Sequence, residues 1–140
     1  MSELNIIEKV IALEGVELFR ALSPDQLSRI ASIAKEVRLA PGKVVFEPGN
    51  ALDSLYVILD GSVELIRGGE VLHVAGQNEV LGAWALFDEE PMPFTARTIE
   101  DTRLLSIGRN DFFDLLSDNM EITASIFATM VRRFRQLVEG

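Results

Sequence analysis

The segment from Leu81 to Thr95 has the outline of a phosphate-binding turn followed by a short helix. Gly82 and Ala83 are small enough for free backbone N–H groups at a helix N-terminus to approach an anion. The same segment carries the carboxylates of residues 88–90, and the chain has no lysine or arginine from residue 68 to residue 96. Such a segment has the backbone of an anion site but side chains that repel an anion.

No other group of residues predicts catalysis or metal binding. His73 is the only histidine, whereas a metal enzyme on a β-roll needs two or three histidines with a carboxylate. The adjacent carboxylates of Asp88, Glu89 and Glu90 lack a third ligand or an orienting partner, so they are typical of a solvated loop. No nucleophile–base pair is visible and there is no cysteine. The sequence predicts no enzyme, no catalytic residue and no metal site.

The composition restricts the class of protein. The 140 residues are 48% hydrophobic and 25% charged, which is ordinary for one folded domain. A net charge of −9 disfavours binding to nucleic acid, which requires cations for phosphate groups. The chain has no run of about 20 apolar residues and no signal peptide. We therefore predict a cytoplasmic location, no membrane span and no nucleic-acid partner.

Helical and β-type patterns alternate along the chain. Helices are predicted within residues 3–35, where Ser23, Pro24 and Gln26 form a capping box with proline at the first helical position. Short β-prone runs separated by Gly, Pro and Asn follow from residue 36 to residue 108, as in a closed antiparallel barrel or roll. The segment from Leu81 to Phe94 interrupts these strands, and such insertions often bind ligands.

Two further helices are predicted within residues 110–139. The second has an apolar residue every four positions on one predicted stripe: Ile122, Ile126, Met130, Phe134 and Val138. This stripe fits packing on the roll and a helix–helix dimer seam equally well. The opposite side is predicted to carry a basic cluster of Arg132, Arg133 and Arg135.

This order of elements resembles the cyclic nucleotide-binding domain of catabolite activator proteins, protein kinase A regulatory subunits and cyclic-nucleotide-gated channels. The supporting phrases lie at residues 16–23, 41–49, 55–63 and 99–105. The resemblance implies a mainly β fold. Its centre is an eight-stranded antiparallel, jelly-roll-like β-roll with N-terminal helices, a short inserted helix and two C-terminal helices. It also implies one domain over residues 1–140.

In that family, a phosphate-binding cassette begins Phe/Ile-Gly-Glu-Leu-Ala-Leu and continues, after a short loop, with Arg-Ala/Ser/Thr-Ala-Thr. This chain matches the pattern without a gap at Gly82, Ala85, Leu86, Pro91 and Thr95. The resemblance therefore identifies a ligand pocket made by Leu81, Gly82, Ala83, Trp84, Ala85, Met92, Pro93, Phe94 and Thr95.

The groups that hold the ligand in the family are replaced in this pocket. Ala83 stands where the family has the glutamate that accepts the ribose 2′-hydroxyl, and Met92 stands where it has the arginine that pairs with the phosphate. Pro93 takes a position whose backbone N–H helps to hold the phosphate, and proline has no N–H. We therefore expect a degenerate cassette that does not bind cAMP or cGMP.

Three hypotheses follow. In the first, Trp84, Met92, Pro93 and Phe94 fill the pocket of a ligand-free regulatory or interaction domain. In the second, the pocket is a sensor site for a different, less anionic small molecule. In the third, the domain senses a cyclic nucleotide through an unusual site. Arg97 is one residue to consider as a substitute cation, but it lies on the strand after the cassette and the sequence leaves its direction open. We expect its partner to be another protein or the remainder of a larger host protein, and a homodimer through the C-terminal helix is a further possibility.

Overall fold

A computed structural model gives the fold of the chain and describes residues 4–50, 52–83 and 92–139. These residues group into two units, one formed by Met1–Ile33 with Asn110–Gly140 and the other by Ala34–Arg109. The first unit is helical and the second is a β-roll. The inserted helix predicted between Leu81 and Phe94 lies almost wholly outside the described residues. The assignment of residues 1–140 to a single domain stays a prediction.

Among the described residues of the helical unit, there are four α-helices and one 3₁₀ turn. They are α1 (Ile6–Glu14), the 3₁₀ turn (Glu17–Phe19), α2 (Pro24–Ile33), α3 (Arg109–Asp118) and α4 (Met120–Glu139). Helix α1 packs against α2, and the 3₁₀ turn contacts α4. In the described part of the chain, no helix has the length and apolar character needed to cross a membrane.

The start of α2 confirms the predicted capping box. The Ser23 hydroxyl accepts the backbone N–H of Gln26 at 3.2 Å, and the Gln26 side chain accepts the backbone N–H of Ser23 at 2.9 Å. The predicted end was wrong, because α2 stops at Ile33 and not at residue 35. Ala34 already pairs with Ile107 in a β-ladder, so the roll begins two residues earlier than predicted.

The predicted eight-stranded antiparallel roll is confirmed. Its strands are β1 (Ala34–Leu39), β2 (Val44–Phe46), β3 (Ser54–Asp60), β4 (Val63–Arg67), β5 (Glu70–Ala75), β6 (Val80–Leu81), β7 (Thr95–Thr98) and β8 (Thr102–Gly108). They form two four-stranded sheets, in the orders β1-β8-β3-β6 and β2-β7-β4-β5. Strand β5 lies at an edge, and its exposed residues include His73.

The core of the roll is formed by apolar side chains from both sheets. Alternation along each strand directs every second residue inward, and the buried cluster comprises Phe46, Ile58, Val63, Ala75, Leu81, Met92, Ala96 and Leu104. Met92 belongs to this cluster although it lies in no strand. A residue of the predicted cassette is therefore also part of the core.

Two turns of the roll require glycine. Gly61, between β3 and β4, has φ +95°, and a Cβ there would lie 2.5 Å from the carbonyl oxygen of Asp101. Gly82, directly after β6, has φ +81°, and a Cβ there would collide with the side chain of Leu52. Both positions therefore exclude larger residues through backbone strain and close contact.

The predicted single stripe on α4 was wrong. Ile122 and Ile126 are only 1% and 3% exposed, whereas Phe134 and Val138 are 57% and 71% exposed. A step of four residues turns a helix by about 40° beyond a full circle, so a stripe with this spacing winds around the helix. Its first residues lie on the buried side and its last residues on the exposed side.

A different set of residues shares the exposed apolar side of α4. Phe127, Met130, Phe134 and Leu137 follow one another at spacings of three, four and three residues, and all four are more than 40% exposed. This spacing is that of a coiled-coil seam. We refer to these four residues as the α4 seam.

Candidate functional site

A small apolar cleft lies in the roll where β6 ends. Its volume is about 170 Å³, and none of the described residues that line it is charged. The lining residues are Phe46, Leu65, Val80, Leu81, Gly82, Ala83, Met92 and Phe94. Five of them come from the predicted pocket: Leu81, Gly82, Ala83, Met92 and Phe94.

Met92 and Phe94 close one side of this cleft. Met92 is 5% exposed because its side chain joins the core of the roll. The ring of Phe94 lies 6.3 Å from that of Phe46, centroid to centroid, at an angle of 44°, which is within the range of favourable aromatic pairs. The wall on this side therefore offers carbon and sulfur atoms where an anion needs hydrogen-bond donors.

The strand β6 and the turn after it form the other side. Leu81 pairs with Tyr56 across the β3–β6 ladder and is buried. The positive φ of Gly82 turns the chain so that Ala83 also borders the cleft. The methyl group of Ala83 can neither accept a hydrogen bond from a sugar hydroxyl nor attract a cation.

Arg97 does not supply a cation to the cleft. Its neighbours Ala96 and Thr98 are buried on the inner face of β7, so Arg97 points outward. Its guanidinium group donates two hydrogen bonds to Glu64 Oε1, at 2.9 and 3.2 Å. Arg97 is therefore no substitute cation for the cleft, because its direction, which the sequence left open, is toward the outer face of β7.

Tyr56, the only tyrosine, carries a polar group at the edge of the core cluster. Burial raises the pKa of its hydroxyl, and the nearby charge of Asp53 raises it further, while a hydrogen bond with Ser54 acts in the opposite direction. The hydroxyl thus stays neutral over the physiological pH range. It adds no charge to this part of the roll.

The remaining predicted pocket residues lie elsewhere. Pro93 is exposed, and Thr95 belongs to β7, where it pairs with Ile66. Neither lines the cleft. Trp84 and Ala85 lie outside the described residues, so their predicted place in the pocket is not tested.

Sequence reasoning missed three residues of the cleft, namely Phe46, Leu65 and Val80. Phe46 and Leu65 lie on β2 and β4, which are distant in sequence from the cassette, whereas Val80 on β6 directly precedes the cassette residue Leu81. Inward alternation in β2 and β4 was the available signal for Phe46 and Leu65. Strand β6 has only two residues, which is too short for a periodic pattern.

His73 lies outside the cleft, as an exposed residue on β5. Its Nε2 is 2.8 Å from Glu79 Oε1, and the second Glu79 oxygen accepts the backbone N–H of Gly76. Burial alone would raise the pKa of Glu79, but these two hydrogen bonds outweigh it and lower the pKa. Among the residues that the structure describes, no three histidine, aspartate or glutamate side chains are arranged to hold a metal ion.

The family model described as cyclic nucleotide-binding domain matches residues 36–119. A curated relative, the cyclic AMP receptor protein of Thermus thermophilus, is 30% identical over 129 residues, which cover 89% of this chain and 60% of that protein. The chain spans about 60% of the length of the first curated relatives that it matches.

Two solved structures illustrate the shared fold. The N-terminal domain of a transcriptional regulator from Streptomyces coelicolor A3(2) superposes with a TM-score of 0.86 at 30% identity, covering 92% of this chain and 96% of that one. The regulatory subunit of a cAMP-independent protein kinase A from Trypanosoma brucei has a TM-score of 0.75 at 21% identity, covering 82% of this chain and 43% of that one. The family model matches more than half of the chain, and the Streptomyces domain superposes on it closely. The chain therefore belongs to the cyclic nucleotide-binding domain family.

Proposed function

We propose that this chain is a non-catalytic regulatory domain whose cleft does not bind cAMP or cGMP and which acts by contact with another protein. The observation that carries this proposal is the position of Met92. It occupies the register of the phosphate-pairing arginine, and its side chain is 5% exposed within the core of the roll. A cyclic phosphate in this cleft would meet an apolar surface in place of a cation.

The loss of affinity is large on simple arithmetic. A charge-assisted hydrogen bond contributes about 1.5 to 3 kcal/mol, and removal of a buried charge partner costs about 2 to 5 kcal/mol. The missing arginine, glutamate and backbone donor together account for roughly 5 to 8 kcal/mol, or about four to six decades of affinity. A site with a micromolar dissociation constant would then remain essentially empty at cellular nucleotide concentrations.

The family relationship does not oppose this proposal. The Trypanosoma brucei structure with the same fold is the regulatory subunit of a protein kinase A that is described as cAMP-independent. The fold by itself therefore does not imply regulation by cAMP.

Isothermal titration calorimetry tests the proposal directly. We expect no saturable heat when cAMP or cGMP is added at millimolar concentration, because no described residue lining the cleft is charged. The cyclic AMP receptor protein of Thermus thermophilus serves as the positive control for the nucleotide stocks. A saturable signal from the present chain would refute the proposal.

A second candidate function is a sensor for a small uncharged molecule. The cleft of about 170 Å³ is close in size to engineered apolar cavities of about 150 Å³ that bind benzene. Its walls include two phenylalanine side chains and one methionine side chain. A ligand of this class would need neither a cation nor a ribose acceptor.

A thermal-shift screen of uncharged aromatic and aliphatic metabolites distinguishes the two candidates. A ligand present at 100 times its dissociation constant adds about 2.7 kcal/mol of stability, which is readily measured. The control variant Ala83→Leu fills the cleft and should abolish the shift. No shift with any compound, or an equal shift in the variant, would count against a sensor.

The proposed contact surface is the α4 seam, and the proposed partner is a second copy of this chain. Leu137 and Phe127, at 82% and 60% exposed, belong to one contiguous exposed apolar row, and contiguous apolar patches on a surface are typical of interaction sites. Their heptad spacing with Met130 and Phe134 suits an identical helix, because each seam residue then meets its own counterpart or a close neighbour. The cyclic nucleotide-binding relatives are longer proteins, so the partner set of a complete host protein extends beyond this contact.

A further inference from the structure

A groove in the helical unit is lined mainly by polar and basic side chains. It runs between the 3₁₀ turn and α4 and has a volume of about 370 Å³. The residues that give it its chemistry are Glu17, Arg20, Thr129, Arg132, Arg133 and Gln136. It lies outside the roll, and nothing in the proposed function depends on it.

The charge of this groove is opposite to that of the chain. Three guanidinium groups and one carboxylate give the groove a formal charge of +2, whereas the chain carries −9. The groove therefore concentrates positive potential at one place on an acidic protein, and a concave surface strengthens such a potential. An acidic protein gains little from this arrangement in folding alone, because surface charges contribute little to stability.

Two of the three arginines have guanidinium groups available for a ligand. Within the described part of the chain, the side chains of Arg20 and Arg132 make no hydrogen bond or ion pair. Arg133 contacts the carboxylate of Glu17. By contrast, Arg135 lies on another side of α4 and does not line the groove. Its Nε is 3.9 Å from Glu139 Oε2.

The backbone that carries these arginines is anchored. Arg20 follows the 3₁₀ turn directly, and its N–H donates to Glu17 O at 3.2 Å. The adjacent Phe19 is fully buried, and Thr129, one turn before Arg132 and Arg133, is 6% exposed. The positions from which the guanidinium groups extend are thus fixed by buried neighbours, so a ligand would order only the side chains.

We propose that this groove binds a small, free anion that carries at least two negative charges on phosphate groups. The planar guanidinium fork matches the oxygens of a phosphate and donates two hydrogen bonds at once. Gln136 adds an amide donor at the same wall. A ligand with two charges balances the +2 of the groove, and its second phosphate competes with Glu17 for Arg133.

Inorganic pyrophosphate is the probe for this site, measured by calorimetry on the full chain in phosphate-free buffer at about 20 mM salt, where screening is weak. We expect saturable binding of one pyrophosphate per chain. Arg20→Gln and Arg132→Gln should each weaken binding by about tenfold or more. Glutamine keeps the helix propensity of arginine at position 132, and Arg20 is exposed and lies in no helix, so both changes remove the charge with little effect on folding.

Two matched variants separate a site from general charge attraction. Arg135→Gln removes the same charge from the same helix outside the groove, and in a comparison of the variants at about 150 mM salt, where the screening length is about 8 Å, we expect it to leave the affinity within about twofold. Glu17→Gln removes the competing carboxylate and releases Arg133, so we expect it to tighten binding. Equal losses in the Arg135 and Arg132 variants, or weaker binding in the Glu17 variant, would overturn the proposal.

A third comparison identifies the source of the phosphate groups. Vesicles of phosphatidylcholine with phosphatidic acid present the same chemistry on a surface. Binding to these vesicles without binding to pyrophosphate would overturn the assignment to a free anion. No saturable binding of pyrophosphate at millimolar concentration would overturn the site altogether.

Discussion

The double variant Ala83→Glu with Met92→Arg is expected to bind cAMP at least about a hundredfold more tightly than the parent chain, which should show no binding. The glutamate restores an acceptor for the ribose hydroxyl and the arginine restores a partner for the phosphate, at about 1.5 to 3 kcal/mol for each contact. Pro93 still lacks an N–H, so the affinity should stay below that of an intact cassette. Calorimetric titration measures the change.

A second double variant, Ala83→Gln with Met92→Gln, is the control for the effect of charge. Glutamine is similar in size to glutamate and arginine but has no charge, so the control variant should bind no cAMP. Arginine at position 92 places a charge where the native side chain is 5% exposed, so the unliganded variant should melt at a lower temperature and recover with cAMP. If the variant with Met92→Arg does not fold, Met92→Lys is used in its place. The long stem of lysine can carry the ammonium group to the mouth of the cleft. No gain in a folded variant would show that the alignment of Met92 with the family arginine is wrong.

Glutamate at Phe127 or Phe134 is expected to convert a dimer into a monomer. Each chain has a mass of 15.5 kDa, so light scattering should show about twice this mass for the parent and a single mass for each variant. A buried aromatic anchor contributes about 2 kcal/mol, and symmetry places two copies of it in the interface. The loss of about 4 kcal/mol corresponds to roughly three decades in the dissociation constant.

Ala128→Glu is the matched control for the seam. Ala128 is exposed on α4 next to Phe127 but lies off the seam. This variant introduces the same charge into the same helix and should keep the mass of the parent. A parent chain that has the mass of one protomer at high concentration would remove the proposed dimer, and equal effects of the Ala128 and Phe127 variants would remove the seam as its interface.

Local chemistry made some elements of the fold predictable. The capping box at Ser23 involves residues three positions apart, so the sequence contains all of its information. The turn at Gly82 was similarly predicted from the small residues Gly82 and Ala83, and the positive φ of Gly82 is a conformation that glycine adopts readily. The resemblance added the eight-stranded, jelly-roll-like architecture, which no local pattern contains.

Long-range pairing explains what could not be predicted. Strand β1 exists because residues 34–39 pair with β8 about 70 positions later, and the two residues of β6 form a strand only because β3 accepts them. The cleft walls at Phe46 and Leu65 depend on the same pairings. On α4 the error was geometric, because a spacing of four residues rotates steadily around the helix and only the 3-4-3 spacing of Phe127, Met130, Phe134 and Leu137 stays on one side.

The methionines of this chain differ in their access to peroxide. Met92 is shielded at 5% exposure, whereas Met130 and Met120 on α4 are 41% and 71% exposed. Oxidation converts a methionine thioether into a polar, chiral sulfoxide and so weakens apolar contacts. An oxidant would therefore act on the α4 surface before it reached the roll, and methionine sulfoxide reductases could restore that surface without unfolding the protein.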